Sequence, residues 1–216
     1  EPRLAETMPT YSSDKKTNTF KIIKGVQLQD NFCFKDGKGR ELTADDFVYS
    51  FNRILDSKVM SDGKWIFDGR VKEFKAIDRY TLQIKLFKPF ASFLHVLTMP
   101  YAFVVPQECV EYYKSDFSRN PVGTGPFQME RYSENQIVWI KSPTFRKVLS
   151  PETNQPIPLI DKLVDDIIVE DQPAWLNFLQ GNHDYLMKIP KDNVAQVWTS
   201  GHQDAPCRTR RSIEPW

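Results

Sequence analysis

The segment Asn120-Pro121-Val122-Gly123-Thr124-Gly125-Pro126-Phe127 restricts this chain more than any other. Two prolines fix φ at about −65° and supply no amide hydrogen, while two glycines permit backbone that other residues avoid. Such a segment is neither helix nor central strand; it is a stiff turn. A strand follows from Phe127 to Tyr132, and a second from Gln136 to Lys141. Only Ser133-Glu134-Asn135 separates them, so they must pair antiparallel, because a parallel pair needs a long crossover. At least one of Gly123 and Gly125 is expected at positive φ, where alanine would cost more than about 1 kcal/mol. The Gly-Thr-Gly run is not a phosphate loop. The third glycine and the following Lys-Ser/Thr are missing, and Pro126 blocks a helix.

Elsewhere the chain mixes short strand and helix patterns. Thr17 to Val26 reads as a strand, and Asp30 to Arg40 as a loop. Thr43 is an N-cap with Asp46 three residues on, and Phe47, Phe51, Ile54 and Leu55 form one apolar stripe. Trp65-Ile66-Phe67 sit between Gly63 and Gly69. Val71 to Ile77 and Thr81 to Leu86 form two strands joined at Asp78-Arg79. Leu82, Ile84 and Leu86 share the buried face of the second. Ala91 to Leu97 and Gln107 to Tyr113 read as helices, and Phe103 to Val105 as a buried strand. Lys147 to Pro158 is a polar excursion. Leu163 to Val169 and Asp184 to Ile189 read as strands. Pro173 to Leu179 is a helix stopped by Gly181, and Lys191 to Val197 begins another. After Trp198 the apolar period is lost, which suits a flexible tail or residues foreign to the fold.

Chemistry is mostly excluded. Twenty-nine Lys and Arg against 28 Asp and Glu give a net charge of +1, not the clustered excess that nucleic acid requires. No apolar run is long enough to cross a bilayer. His95, His183 and His202 have no partner at helical spacing, so no zinc site is expected. Neither a G-x-S-x-G elbow nor an H-E-x-x-H helix occurs. Asp45-Asp46 and Asp165-Asp166 are sequence neighbours that point apart, so neither is an acid/base dyad. No cofactor is called for. Cys33, Cys109 and Cys207 fit no metal spacing. They read as three reduced thiols, with a Cys33–Cys109 disulfide as the alternative in an oxidising compartment.

Four ordered blocks carry a resemblance. Leu4-Ala5-Glu6 precedes Thr19-Phe20 and Gly25-Val26. Leu42-Thr43-Ala44-Asp45-Asp46-Phe47-Val48-Tyr49-Ser50-Phe51-Asn52-Arg53 forms the helix start. Third comes the Asn120–Phe127 turn. Last, Ile160-Asp161-Lys162-Leu163 precedes Leu179-Gln180-Gly181-Asn182-His183-Asp184. Together they resemble the extracellular solute-binding proteins of peptide and nickel ABC transporters. The resemblance implies a mixed α/β fold, part of a periplasmic-binding-protein type II-like lobe. It implies an inserted small subdomain over residues 1–122 with mostly antiparallel strands, a partial core subdomain over 123–198, and a tail over 199–216. It further implies a piece of a receptor about twice as long, lacking its opening segment and its second lobe.

The function implied is non-catalytic capture of a peptide or small organic solute for a membrane permease, in the periplasm or outside the cell. A lipid anchor would belong to the full-length form. In such relatives an aromatic residue after the first inserted helix reaches the cleft, which here is Trp65. The Leu-x-x-Pro step also lines it, which here gives Met99, Pro100 and Tyr101. A Trp between glycines is more often a local core plug. Asn120, Pro121, Gly123, Thr124, Gly125 and Pro126 are the structural signature. Some nickel-type relatives carry an arginine near Tyr101; tyrosine here favours an organic solute. The alternative function is the ligand-sensing domain of a transcription regulator that shares the fold.

Overall fold

In a computed structural model the fold is described for residues 3–194. The tail expected over 199–216, and the helix expected to run on to Val197, lie outside those residues except for a single 3-10 turn at Lys191–Asn193. The chain divides into two compact units, residues 1–132 with 138–163, and residues 133–137 with 164 onward.

The first unit is built on an antiparallel sheet. Its strands are β1 (Thr10–Tyr11), β2 (Thr17–Lys21), β3 (Val71–Asp78) and β4 (Thr81–Leu86), in the order β1-β2-β4-β3. Phe20 faces Leu82 across β2 and β4, and Phe74 faces Ile84 across β3 and β4. The β3–β4 turn is tight because the Tyr80 amide donates to Asp78 Oδ1 at 2.8 Å. Strand β4 turns Leu82, Ile84 and Leu86 inward, none more than 3% exposed. The twelve-residue helix α1 (Ala44–Leu55) lays its apolar stripe on them. Phe51, Phe67 and Phe74 meet at centroid distances of 5.0 to 5.2 Å, so helix, turn and strand share one aromatic knot. Truncating such a ring costs about 3–5 kcal/mol.

The start of α1 is fixed electrostatically. The Thr43 amide donates to Asp46 Oδ2 at 2.8 Å. Arg40 then grips both oxygens of the buried Asp46, at 2.9 and 2.6 Å, and both oxygens of Glu108, at 2.5 and 2.9 Å. Glu108 lies on α3 (Gln107–Tyr113), so one guanidinium ties two helices. Between them runs the short helix α2 (Phe93–Val96), with Phe93 buried.

A second apolar cluster gathers Val26, Leu28, Phe34, Leu42, Cys109 and Val122, and Phe47 packs on both clusters. Here Cys33 and Cys109 form a disulfide across Cα atoms 4.8 Å apart. The expectation of three reduced thiols is therefore corrected for this pair. Helix α3 buries Cys109 fully against the loop that carries Cys33, a proximity across 76 residues that spacing alone does not reveal.

Strands β5 (Phe127–Tyr132), β6 (Gln136–Lys141) and β9 (Lys162–Asp166) form a three-stranded sheet in that order. The polar excursion between β6 and β9 holds a small antiparallel ribbon, β7 (Val148–Leu149) with β8 (Pro156–Ile157). In the second unit, helix α4 (Asp171–Leu179) ends as its glycine requires. Gly181 has φ 77°, and its amide and that of Asn182 close back on Phe178 and Asn177 at 3.0 Å. Asp166 accepts from Gln136 Nε2 at 2.8 Å and lies 2.9 Å from His183 Nε2.

Two expected strands are absent. Phe103 to Val105 is extended but joins no sheet, and Phe103 is 67% exposed. The Ser50 hydroxyl takes both the amide and the carbonyl of Val105, at 2.9 and 3.1 Å, in place of a neighbouring strand. Residues 184–189 are irregular, with Tyr185 and Met187 largely exposed, so their alternation has no sheet face to serve.

Candidate functional site

The sequence Gly63-Lys64-Trp65-Ile66-Phe67 divides itself by polarity and size. A 3-10 turn over Lys64–Ile66 closes with the Ile66 amide on Gly63 O at 3.1 Å. It drives Ile66 and Phe67 into the core, both at 0% exposure, and leaves Trp65 outside at 51%. The core plug is thus Ile66-Phe67, and the indole is displayed to solvent. Arg70 Nη1 donates to Trp65 O at 2.9 Å, and its guanidinium lies 5.8 Å from the indole centroid and 5.3 Å from that of Phe90. Cation–π attraction therefore helps fix the turn.

A second 3-10 turn, Pro100–Ala102, begins after Met99 and suits the fixed φ of Pro100. The Ala102 amide donates to Met99 O at 2.9 Å. Ala102 is buried, Met99 packs half-buried on the core, Pro100 is exposed, and Tyr101 is 44% exposed. Tyr101 does not stand free. Its Cβ, Cγ and Cδ1 lie so near Gly63 that a methyl there would sit 2.6–2.7 Å from them. The two turns are in contact because residue 63 has no side chain. Of the four expected ligand residues, Trp65 and Tyr101 offer aromatic surface from adjoining turns, Pro100 shapes one turn, and Met99 supports it from below.

The signature turn lies elsewhere in the same unit and is held by a residue the sequence does not flag. Gln29 is 5% exposed. Its Nε2 donates to Gly125 O at 3.2 Å and Phe127 O at 2.7 Å, and its Oε1 accepts from the Gly123 amide at 3.2 Å. Its own amide donates to Gly123 O at 2.9 Å. Val122 is buried, Asn120 Nδ2 donates to Asp116 O at 3.0 Å, and the Ser142 amide donates to Pro126 O at 2.8 Å. Asn120 and Pro121 line a cavity of about 330 Å³ with Asn31, Arg119 and Tyr132. The expectation of positive φ at Gly123 or Gly125 is wrong. Among the described residues the positive-φ glycines are Gly25, Gly37, Gly69 and Gly181. Gln29 fixes the turn, so left-handed backbone is not needed, and a Cβ meets nothing closer than 3.9 Å at either glycine. Thr124 is half-buried between the two glycines.

Among the described residues no group of three or more His, Cys, Asp or Glu could hold a metal ion. No helix among them is long and apolar enough to cross a membrane. What the site offers is aromatic and cationic surface.

The model of the bacterial extracellular solute-binding proteins, family 5 Middle, matches residues 1–213. Over 156 residues the chain is 35% identical to a dipeptide-binding protein of Escherichia coli K12, covering 65% of this chain and 29% of that protein. It is 29% identical over 184 residues to di/tripeptide-binding protein 4 of Pseudomonas aeruginosa UCBPP-PA14, covering 78% of this chain and 33% of that protein. The periplasmic binding protein DppA of Helicobacter pylori, solved with the peptide STSA, superimposes with a TM-score of 0.76 at 25% identity. That match covers 92% of this chain and 40% of the other. The chain thus spans 29–33% of the length of these two sequence relatives.

Proposed function

This chain belongs to the bacterial extracellular solute-binding proteins of family 5, and from that premise we propose that it forms part of a receptor capturing peptides for an ABC importer. Trp65 and Tyr101, with Pro100 opening the second turn and Met99 beneath, form a wall of the solute cleft. The single observation that carries this reading is the contact of the two turns at Gly63, which sets two exposed aromatic residues over a fully buried Ile66-Phe67 base. Aromatic walls with few polar groups are the usual lining of small-molecule sites. The sequence and structure relatives named above are peptide-binding proteins, which supports a peptide as the solute.

The receptor is not an enzyme on this reading, works outside the cytoplasm, and delivers its solute to a membrane permease. A lipid anchor is a further part of the proposal for the whole protein. So is the assignment of residues 1–122 to an inserted subdomain, 123–198 to part of a core subdomain and 199–216 to a tail. The regulator alternative is less favoured, because the Cys33–Cys109 disulfide suits an oxidising compartment and not the cytosol.

Binding by two lobes loses far more than half its strength when one is missing, since ordering and translational costs remain. This 216-residue chain should therefore bind peptides only in the millimolar range, about −4 kcal/mol. Titration calorimetry of this chain and of the whole receptor against a peptide library tests the proposal. The whole receptor should bind orders of magnitude tighter, and Trp65→Ala or Tyr101→Ala should weaken it. Micromolar binding by this chain alone, or indifference to both substitutions, would refute it.

A further inference from the structure

The four-stranded sheet of the first unit ends at β3, whose one neighbour among the described residues is β4. The Ile22 amide donates to Tyr80 O at 2.8 Å and the Leu86 amide to Lys16 O at 2.7 Å, so β4 turns the backbone of its even-numbered residues to β2. Its odd-numbered residues therefore serve β3, where Lys85 faces Glu73 and Gln83 faces Lys75. Phe74 and Ala76 send their amides and carbonyls the other way, off the sheet. Register shifts between Val71 and Glu73 and between Ala76 and Asp78 confine the regular part of this edge to residues 73–76. Side chains there divide by face. Phe74 is buried, and Glu73 and Lys75 are exposed on the solvent side. Among the described residues neither makes an ion pair.

An open edge is a template for another strand, and charged side chains usually guard it. Here the charges alternate in sign, and they complement themselves. A second copy that extends the sheet antiparallel, with its core on the same side, is related by a two-fold axis through one residue of β3, because residues directly opposite share a face. With the axis at Phe74, the two Phe74 residues exchange both backbone hydrogen bonds. Glu73 of each copy then faces Lys75 of the other, in the non-hydrogen-bonded pairs where side chains lie closest. An axis at Glu73 sets two glutamates opposite each other, and one at Lys75 sets two lysines, both destabilising. An axis at Ala76 sets Lys75 opposite Ile77 and forms no ion pair. We infer that β3 pairs with β3 of a second copy about a two-fold axis at Phe74, joining two sheets into one. Lys85, beside Glu73 on β4, adds to the attraction on that carboxylate. Only residues 73–76 contribute in full, so the dimer is a weak, reversible one. The inference stands on the sheet edge alone and makes no use of the solute wall.

The test is sedimentation velocity of this chain from about 10 μM to about 1 mM, with amide hydrogen exchange followed along β3. The sedimentation coefficient should rise with concentration toward that of a dimer, and less so as salt is added. Glu73→Lys and Lys75→Glu each turn both ion pairs into like-charge contacts, so each alone should weaken association by about tenfold or more. The two variants mixed one to one should recover it, because opposite charges then face each other again. The double variant Glu73→Lys with Lys75→Glu should recover it by itself. Both positions are exposed, so circular dichroism should show the fold unchanged in every variant. Exchange at the Phe74 amide should slow with concentration, while that at Lys75, already turned to β4, should not. A chain that stays monomeric up to about 1 mM, an association indifferent to Glu73→Lys and Lys75→Glu, or mixed variants that associate no better than each alone would overturn the inference.

Discussion

Gly63→Ala isolates the contact on which the candidate site depends. Gly63 has φ −81° and ψ −1°, an ordinary right-handed conformation, so alanine introduces no backbone strain. The added methyl instead meets Tyr101 Cβ, Cγ and Cδ1 at 2.6–2.7 Å, about 1 Å inside comfortable carbon–carbon separation. A ring tip could swing away, but Cβ and Cγ are tethered to the backbone of the Pro100–Ala102 turn. That turn is anchored by Ala102, which is 8% exposed. The turn must therefore shift as a body, an overpacking cost of about 1–3 kcal/mol. For a chain of this size each kcal/mol lowers the melting temperature by about 2–4 °C. Urea unfolding of wild type, Gly63→Ala, Tyr101→Ala and the double variant measures it. Tyr101→Ala removes Cγ and Cδ1, two of the three clashing atoms, so the double variant should lose less stability than the two single losses added together. Gly63→Ala as stable as wild type, or strictly additive losses, would refute the contact and with it the joining of the two turns.

Other outcomes follow from the same structure. Gln29→Ala removes three side-chain hydrogen bonds from a buried position and strands groups of the Gly123–Phe127 turn. It should cost about 2–4 kcal/mol in urea unfolding, whereas Gly123→Ala should not destabilise, and the reverse order would show the turn is fixed otherwise. Replacing Cys33 and Cys109 by serine opens a loop of 76 residues, which by chain entropy should cost about 4.5 kcal/mol; an unchanged midpoint under reducing and oxidising conditions would deny the bond. The Arg40 hydrogen bond holds the Glu108 carboxyl below its ordinary value of 4.5. A carboxyl depressed on folding contributes stability that is full above the unfolded value and is lost as pH falls through the folded one. Glu108→Gln should therefore flatten the acid limb of a stability–pH curve below that value, and an identical limb would show that Arg40 does not act on it.

Local rules explain most of what the sequence made legible. Helix α1 has its N-cap at Thr43 and an apolar stripe of the right period, and β3–β4 has alternation and a short polar turn. Gly181 stops α4 where only a residue tolerant of positive φ fits. Each signal is complete within a few residues. The four blocks from Leu4 to Asp184 likewise carried the family, which the match over residues 1–213 bears out. The misreadings concern partners distant in sequence. Val105 looked like strand because its local pattern is apolar, but Ser50, 55 residues away, takes its hydrogen bonds. Gly123 looked like a left-handed turn residue, but Gln29, 94 residues away, supplies the restraint. The site shows the same division. An aromatic residue at 65 and another at 101 were visible, but their joining at Gly63, and the Arg70 guanidinium between Trp65 and Phe90, exist only after folding.

Photo-crosslinking tests the central claim most directly, because it reports where a peptide lies. A dipeptide with a benzoyl-phenylalanine side chain would be bound to this chain at millimolar concentration, irradiated, and the adducts mapped by mass spectrometry. Adducts should concentrate at residues 63–70 and 99–103, be competed by unlabelled dipeptide, and decline in Trp65→Ala. Competable adducts confined to the cavity at Asn120 and Pro121, or scattered without competition, would contradict the assignment of the Trp65–Tyr101 surface as the solute wall.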